Sequence, residues 1–153
     1  MPYSKALEVN LAISRVPVTL DPKYDLLLEI IAPYHGLTER LKNFLEECCH
    51  PYRNWKFVLD GGRSFFLNNF YIFKEHEKGP EAVQLFMEIF LEAATASTSE
   101  EVRGDAVDIL LAFLQQIITE SGPKLLQFLP ALDYGFKSLA DLRRIPFTTK
   151  DDL

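Results

Sequence analysis

The side chains best suited to chemistry meet at Cys48-Cys49-His50, with His35 and His76 as the other imidazoles. Thiolates and imidazoles are zinc ligands, but a zinc site usually spaces its cysteines by two or more residues so that both sulfurs face one ion. Adjacent residues on a helix point about 100° apart. Cys48 therefore reads as a core thiol, Cys49 and His50 as a helix end, and no metal is expected. Ser, Cys, His and acidic residues all occur, yet no local pattern pairs a nucleophile with a base. Glu46 and Glu47 are neighbours and diverge in the same way, which suits a solvated face. Gly61-Gly62 lacks the glycine-rich spacing and following Lys-Ser/Thr that cradle phosphate, so it reads as helix packing. Tyr52, Trp55, Phe57 and Tyr71 have the types to line a ligand groove, but their helical spacing favours a core. No catalytic, cofactor-binding or metal-binding residue is assigned.

Those residues sit on a helical frame. In Trp55–Phe73 the apolar residues Trp55, Val58, Leu59, Phe65, Phe66, Phe70 and Phe73 recur at intervals of three, four and seven. This predicts one long central helix from about 52 to 76, with Gly62 on its inner face at a helix crossing. A β-hairpin turning at Asp60-Gly61-Gly62-Arg63 is the rival reading. Asp21-Pro22 opens a helix over Lys23–Ala32, and Pro33 and Gly36 break the chain. A second helix covers Thr38 to Cys49 and closes at His50-Pro51. Later helices are expected at Pro80–Ala94 and, capped by Ser99, at about Glu100–Glu120. After Gly122-Pro123 a short helix Lys124–Leu132, a turn at Asp133-Tyr134-Gly135 and a last short helix Ser138–Arg143 complete the chain. Leu7, Val9, Leu11 and Ile13 alternate like a strand, while Ala6, Leu7, Val9 and Ala12 also fit a short helix. The expected fold is all-α, a bundle of five to six helices with short loops.

The chain has 153 residues, enough for one domain with a sizeable core. Its net charge of −6 argues against a nucleic-acid surface, which needs excess Lys and Arg to displace phosphate counterions. No stretch of about 18 residues is apolar and free of charge, so no membrane span is expected. The first residues lack a basic region followed by an apolar core, so they do not read as a signal peptide. Adjacent cysteines make a poor structural disulfide, so Cys48 and Cys49 read as reduced thiols of a cytoplasmic protein.

The last sixteen residues carry a different signal. Ser138-Leu139-Ala140-Asp141-Leu142-Arg143-Arg144-Ile145-Pro146-Phe147-Thr148-Thr149-Lys150-Asp151-Asp152-Leu153 resembles a segment of the phenylacetate–coenzyme A ligase family of adenylate-forming enzymes. There a Ser-Leu-x-Asp-Leu helix is followed by Leu/Ile-Pro-Phe-Thr-Thr-Lys-x-Asp-Leu, shortly before the Ser/Thr/Gly-rich loop that handles the ATP phosphates. The likeness covers about a tenth of the chain. The Pro-Phe-Tyr helix that precedes the segment in the family is not recognisable in residues 1–135, and the family's catalytic motifs lie downstream. The resemblance implies a division into a helical bundle, 1–137, and the start of a ligase domain, 138–153. It implies that ATP and coenzyme A would be bound by a downstream ligase domain and not by this chain. Ile145, Phe147 and Lys150 are then the interaction residues, with two apolar anchors and one charge. Burying Phe147 is worth about 1.5–3 kcal/mol, so Ile145 and Phe147 are expected to be partly covered.

Two functions follow. One is a non-catalytic N-terminal accessory domain, docking or regulatory, of an AMP-forming acyl-coenzyme A ligase. The other is a stand-alone helical module that binds a partner protein or an apolar ligand between its helices. Homo-oligomer formation is compatible with both.

Overall fold

The computed structural model describes residues 18–144. Six α-helices follow one another: α1 (Asp25–Ile31), α2 (His35–Cys49), α3 (Trp55–Glu75), α4 (Gly79–Ala96), α5 (Glu100–Glu120) and α6 (Leu125–Arg144). Single 3₁₀ turns, Pro22–Tyr24 and Gly122–Lys124, lead into α1 and α6. Among the described residues there is no strand. The fold is the expected all-α bundle.

Side-chain caps open three of the helical segments. The Asp21 carboxylate accepts from the Lys23 amide, capping the turn that opens α1. The Ser99 hydroxyl accepts from the Val102 amide at the start of α5. Asn54 does the same for α3 through the Phe57 amide, so α3 begins at Trp55 and Tyr52 lies in the preceding turn. No hairpin forms at Gly61-Gly62. Both glycines lie inside α3, and a Cβ on Gly62 would come within 2.8 Å of Phe90 Cζ and 3.0 Å of Phe44 Cζ. Gly62 is therefore the close approach of α3 to α2 and α4.

Two boundaries differ from the sequence reading. Helix α2 begins at His35 and runs through Gly36, whose bare Cα faces open space and costs the helix only its propensity. The larger correction is α6. The expected pieces Lys124–Leu132 and Ser138–Arg143 and the turn between them are one continuous helix, Leu125–Arg144. Each turn-forming residue has a helical use. Asp133 pairs with Lys137 at 2.9 Å one turn on. The Ser138 hydroxyl donates to the Tyr134 carbonyl at 2.7 Å. Gly135 is buried, where a Cβ would lie 2.6 Å from Leu114 Cδ2 and 3.3 Å from Met87 Sδ. Pro130 sits inside the helix and frees the carbonyl of Leu126, which is exposed and so can be hydrated.

Helix α4 packs against α3, α5 and α6, and α2 packs against α1 and α3 and reaches α4 through Phe44, which stacks on Phe86. Phenylalanine fills the space between them. Of the twelve in the chain, Phe44, Phe65, Phe66, Phe70, Phe73, Phe86, Phe90, Phe113 and Phe128 are buried. Phe66 stacks on Phe113 with ring centroids 3.7 Å apart and meets Phe86 edge-on at 5.6 Å. Phe90 meets Phe113 at 4.8 Å, and Phe70 reaches Phe128 on α6 at 5.7 Å. Offset and edge-on ring pairs add about 0.5–1.5 kcal/mol each beyond their buried area.

Candidate functional site

Ile145, Phe147 and Lys150 lie outside the described residues, as does the strand-or-helix question over residues 1–17. The part of the resembling segment that is described, Ser138–Arg144, forms the last turns of α6. Leu139 is buried there, and Leu142 packs on the core.

The cysteine pair ends α2. Cys48 is buried, and Cys49 is half-buried. Burial is the main cause that raises the Cys48 thiol above its ordinary value of 9.0; Cys49 adds to the rise and Arg53 opposes it. Such a thiol is protonated at neutral pH and is a poor nucleophile. Tyr24, buried beside it, is raised from 10.0 mainly by burial, with further increments from Cys48 and Cys49. The imidazoles serve turns. His50 Nδ1 accepts from the Tyr52 amide and His76 Nδ1 from the Lys78 amide, each at 3.0 Å. Among the described residues, no three His, Cys, Asp or Glu side chains are grouped to hold a metal. No helix among them is long and apolar enough to cross a membrane.

Arg53, unremarked in the sequence, organises this corner. Its Nη1 donates to the Cys48 carbonyl at 2.7 Å and to Glu92 Oε1 at 3.1 Å. Its guanidinium lies 4.8 Å from the Trp55 ring centre. One residue thus satisfies a carbonyl at the end of α2, pairs with α4 and stacks on α3. Leu20, Tyr24, Cys48, Arg53 and Glu92 line an open cleft of about 470 Å³. With Arg53 committed to protein partners, the arrangement reads as a clasp.

A more apolar groove of about 320 Å³ runs between α2 and α3. Leu37, Phe44, Phe57 and Phe65 line it, with Arg40, Asn68 and Asn69 at its polar edge. Asn69 is buried and donates to the Phe65 carbonyl at 2.8 Å. Phe57 is 54% exposed. It is not core, and neither are Tyr52 and Tyr71, which are also exposed, whereas Trp55 packs partly on the core. The helical interval correctly placed Trp55, Phe57 and Tyr71 on α3, but Tyr52 stands before the helix, and Phe57 and Tyr71 face away from the core. A third hollow, about 590 Å³, is edged by His76, Glu77, Glu81 and Gln84 beside the Lys124–Glu75 ion pair at 3.1 Å.

The surface also carries an apolar seam that periodicity concealed. Leu111 and Ile118 on α5, and Leu129 and Phe136 on α6, are each more than two-fifths exposed. The sequence assigned no exposed role to any of them. Comparison with protein-family models, curated proteins and solved structures gives no match for this chain. What the described residues define is a helical bundle with surface grooves.

Proposed function

We propose that this chain is a non-catalytic helical accessory domain, docking or regulatory, that precedes an AMP-forming ligase domain similar to phenylacetate–coenzyme A ligase. The observation that carries this reading is the likeness of Ser138–Leu153 to the segment standing before that family's phosphate loop. Supporting it, Ser138–Arg144 is anchored in the bundle through Leu139 and Leu142. A domain joined there would be held by a packed helix and not by a slack linker. The ligase would activate a carboxylic acid with ATP and pass the acyl group to coenzyme A in the cytoplasm. This chain would contribute docking surface and no reacting group.

Two measurements test the two halves of the proposal. The purified chain, given ATP, a panel of aryl acids and labelled pyrophosphate, should give no ATP–pyrophosphate exchange; exchange above the blank overturns the accessory role. Genomic sequence after the Leu153 codon should run in frame into a Ser/Thr/Gly-rich loop, and a stop codon there overturns the ligase linkage.

The groove between α2 and α3 favours a second reading, a stand-alone module for an apolar ligand. Phe57 offers its ring at that groove. An apolar fluorescent probe should then bind with micromolar affinity and be lost in Phe57→Ser. Equal probe binding by both proteins would remove this alternative.

A further inference from the structure

The groove between α2 and α3 is polarised along its length. Phe44 of α2 meets Gly61 of α3 at its floor, where a Cβ on Gly61 would lie 3.3 Å from Phe44 Cδ1. Only the short connection 50–54 joins α2 to α3, so the two helices run antiparallel. Arg40, one turn before Phe44, is therefore at the same end of the groove as Ser64 and Asn68, one and two turns after Gly61. Phe57, one turn before Gly61, marks the opposite end. Arg40 is the one charged residue lining the groove, in a chain with 22 acidic residues and a net charge of −6. Glu39 and Asp60, acids close to it in sequence, are not among the lining residues. The ion pairs of the described residues are made by Lys23, Arg53, Lys124 and Lys137, so Arg40 has no carboxylate partner among them. The Asn68 amide donates to Ser64 Oγ at 3.4 Å, which leaves the hydroxyl proton of Ser64 to donate beside Arg40.

We infer that this groove is a site for a medium-chain carboxylate, its anion on Arg40 and its hydrocarbon laid over Phe44 and the Gly61 floor toward Phe57. The inference rests on reading the groove as an apolar-ligand site, and adds the charge and the orientation of that ligand. It needs no ligase domain. Three features select this occupant. A guanidinium presents paired N–H donors that match the two oxygens of a carboxylate, and one cation balances one negative charge. Phe44 and Phe65 are buried while Phe57 is exposed, so a hydrocarbon there covers the ring of this groove that the bundle leaves in water. The volume of about 320 Å³ is at the small end of the range for ligand sites, about 300–1,000 Å³, which suits a short chain and not a partner's helix. From Phe57 to Phe65 the groove follows α3 for about 12 Å, long enough for an extended chain.

Calorimetric titration of the full chain with octanoate and with octanol at neutral pH tests it. Octanoate should bind at least about tenfold more tightly than octanol, the scale of one hydrogen bond to a charged group. Arg40→Gln should remove that preference and leave octanol binding unchanged, and Arg40→Lys should keep part of it. Phe57→Ser should weaken both ligands alike. Equal affinities for the two ligands in the wild-type chain, or a preference for octanoate that survives Arg40→Gln, overturns the inference while the groove remains an apolar-ligand site. Binding of neither ligand removes the groove reading, and the inference falls with it.

Discussion

Helix α5 contributes Phe113 to the interior and, two residues away, Leu111 to the outer seam. Phe113 is enclosed by Phe66 and Phe90, rings from α3 and α4. Leu111 has a neighbouring helix on one side and water on the other. The two residues have similar hydrophobicity and the same backbone, and only the number of surrounding helices separates them. A hairpin of two helices at the edge of a bundle covers less of each apolar arc than a helix inside it does. Where the apolar arc is wider than the covered arc, the surplus marks a surface for something else. That surplus appears on α5 and α6 and again at Phe57 on α3. On α4 even Leu85 and Leu91 pack partly against the core.

The comparison can be broken from its closed side first. Phe66→Ala removes a ring that touches Phe70, Phe73, Phe86 and Phe113, and should cost about 3–5 kcal/mol in urea unfolding. A loss below about 1 kcal/mol would show an interior that collapses freely onto the gap. Gly62→Leu should cost about 1–3 kcal/mol by overpacking against Phe90 and Phe44. An unchanged melting temperature would mean the crossing is loose.

Alkaline pH probes the closed side more gently. Cys48 and Tyr24 are both raised in the folded chain, chiefly by burial. Above the ordinary values of 9.0 and 10.0 the unfolded chain loses these protons while the folded chain keeps them. Their stabilising contribution is complete below pH 9 and falls as pH rises, by about 1.4 kcal/mol per pH unit for each group. Denaturation midpoints from pH 7 to 10.5 should show the decline. Cys48→Ala should flatten its first part, and identical slopes would mean that solvent reaches the thiol.

The smallest effect belongs to the open side. Leu126→Gln, at a residue 76% exposed on α6, should shift stability by less than about 0.5 kcal/mol. A larger loss would show that this face has an occupant.

Much of the frame was legible because it depends on neighbours close in the chain. Asp21 and Ser99 announce their helices through side chains that reach amides two or three residues ahead. The run from Trp55 to Phe73 favoured a helix over the rival hairpin because its apolar spacing of three and four continues unbroken across the glycines. The residues at Asp133-Tyr134-Gly135 misled because Asp and Gly are turn formers by local preference. Whether Gly135 bends the chain or admits Leu114 depends on a helix some twenty residues earlier. Arg53 was silent for the same reason, since Glu92 stands far from it in sequence.

Sequence by itself determined an all-α fold, the caps at Asp21 and Ser99 and most of the greasy inner faces, because these follow from backbone geometry and side chains within one or two turns. Tertiary structure alone decided that α6 is continuous, that Arg53 clasps three helices, and which apolar residues stay in water. Burial is a property of what packs against a residue, and a helix's periodicity records how wide its apolar arc is, not how much of that arc its neighbours cover.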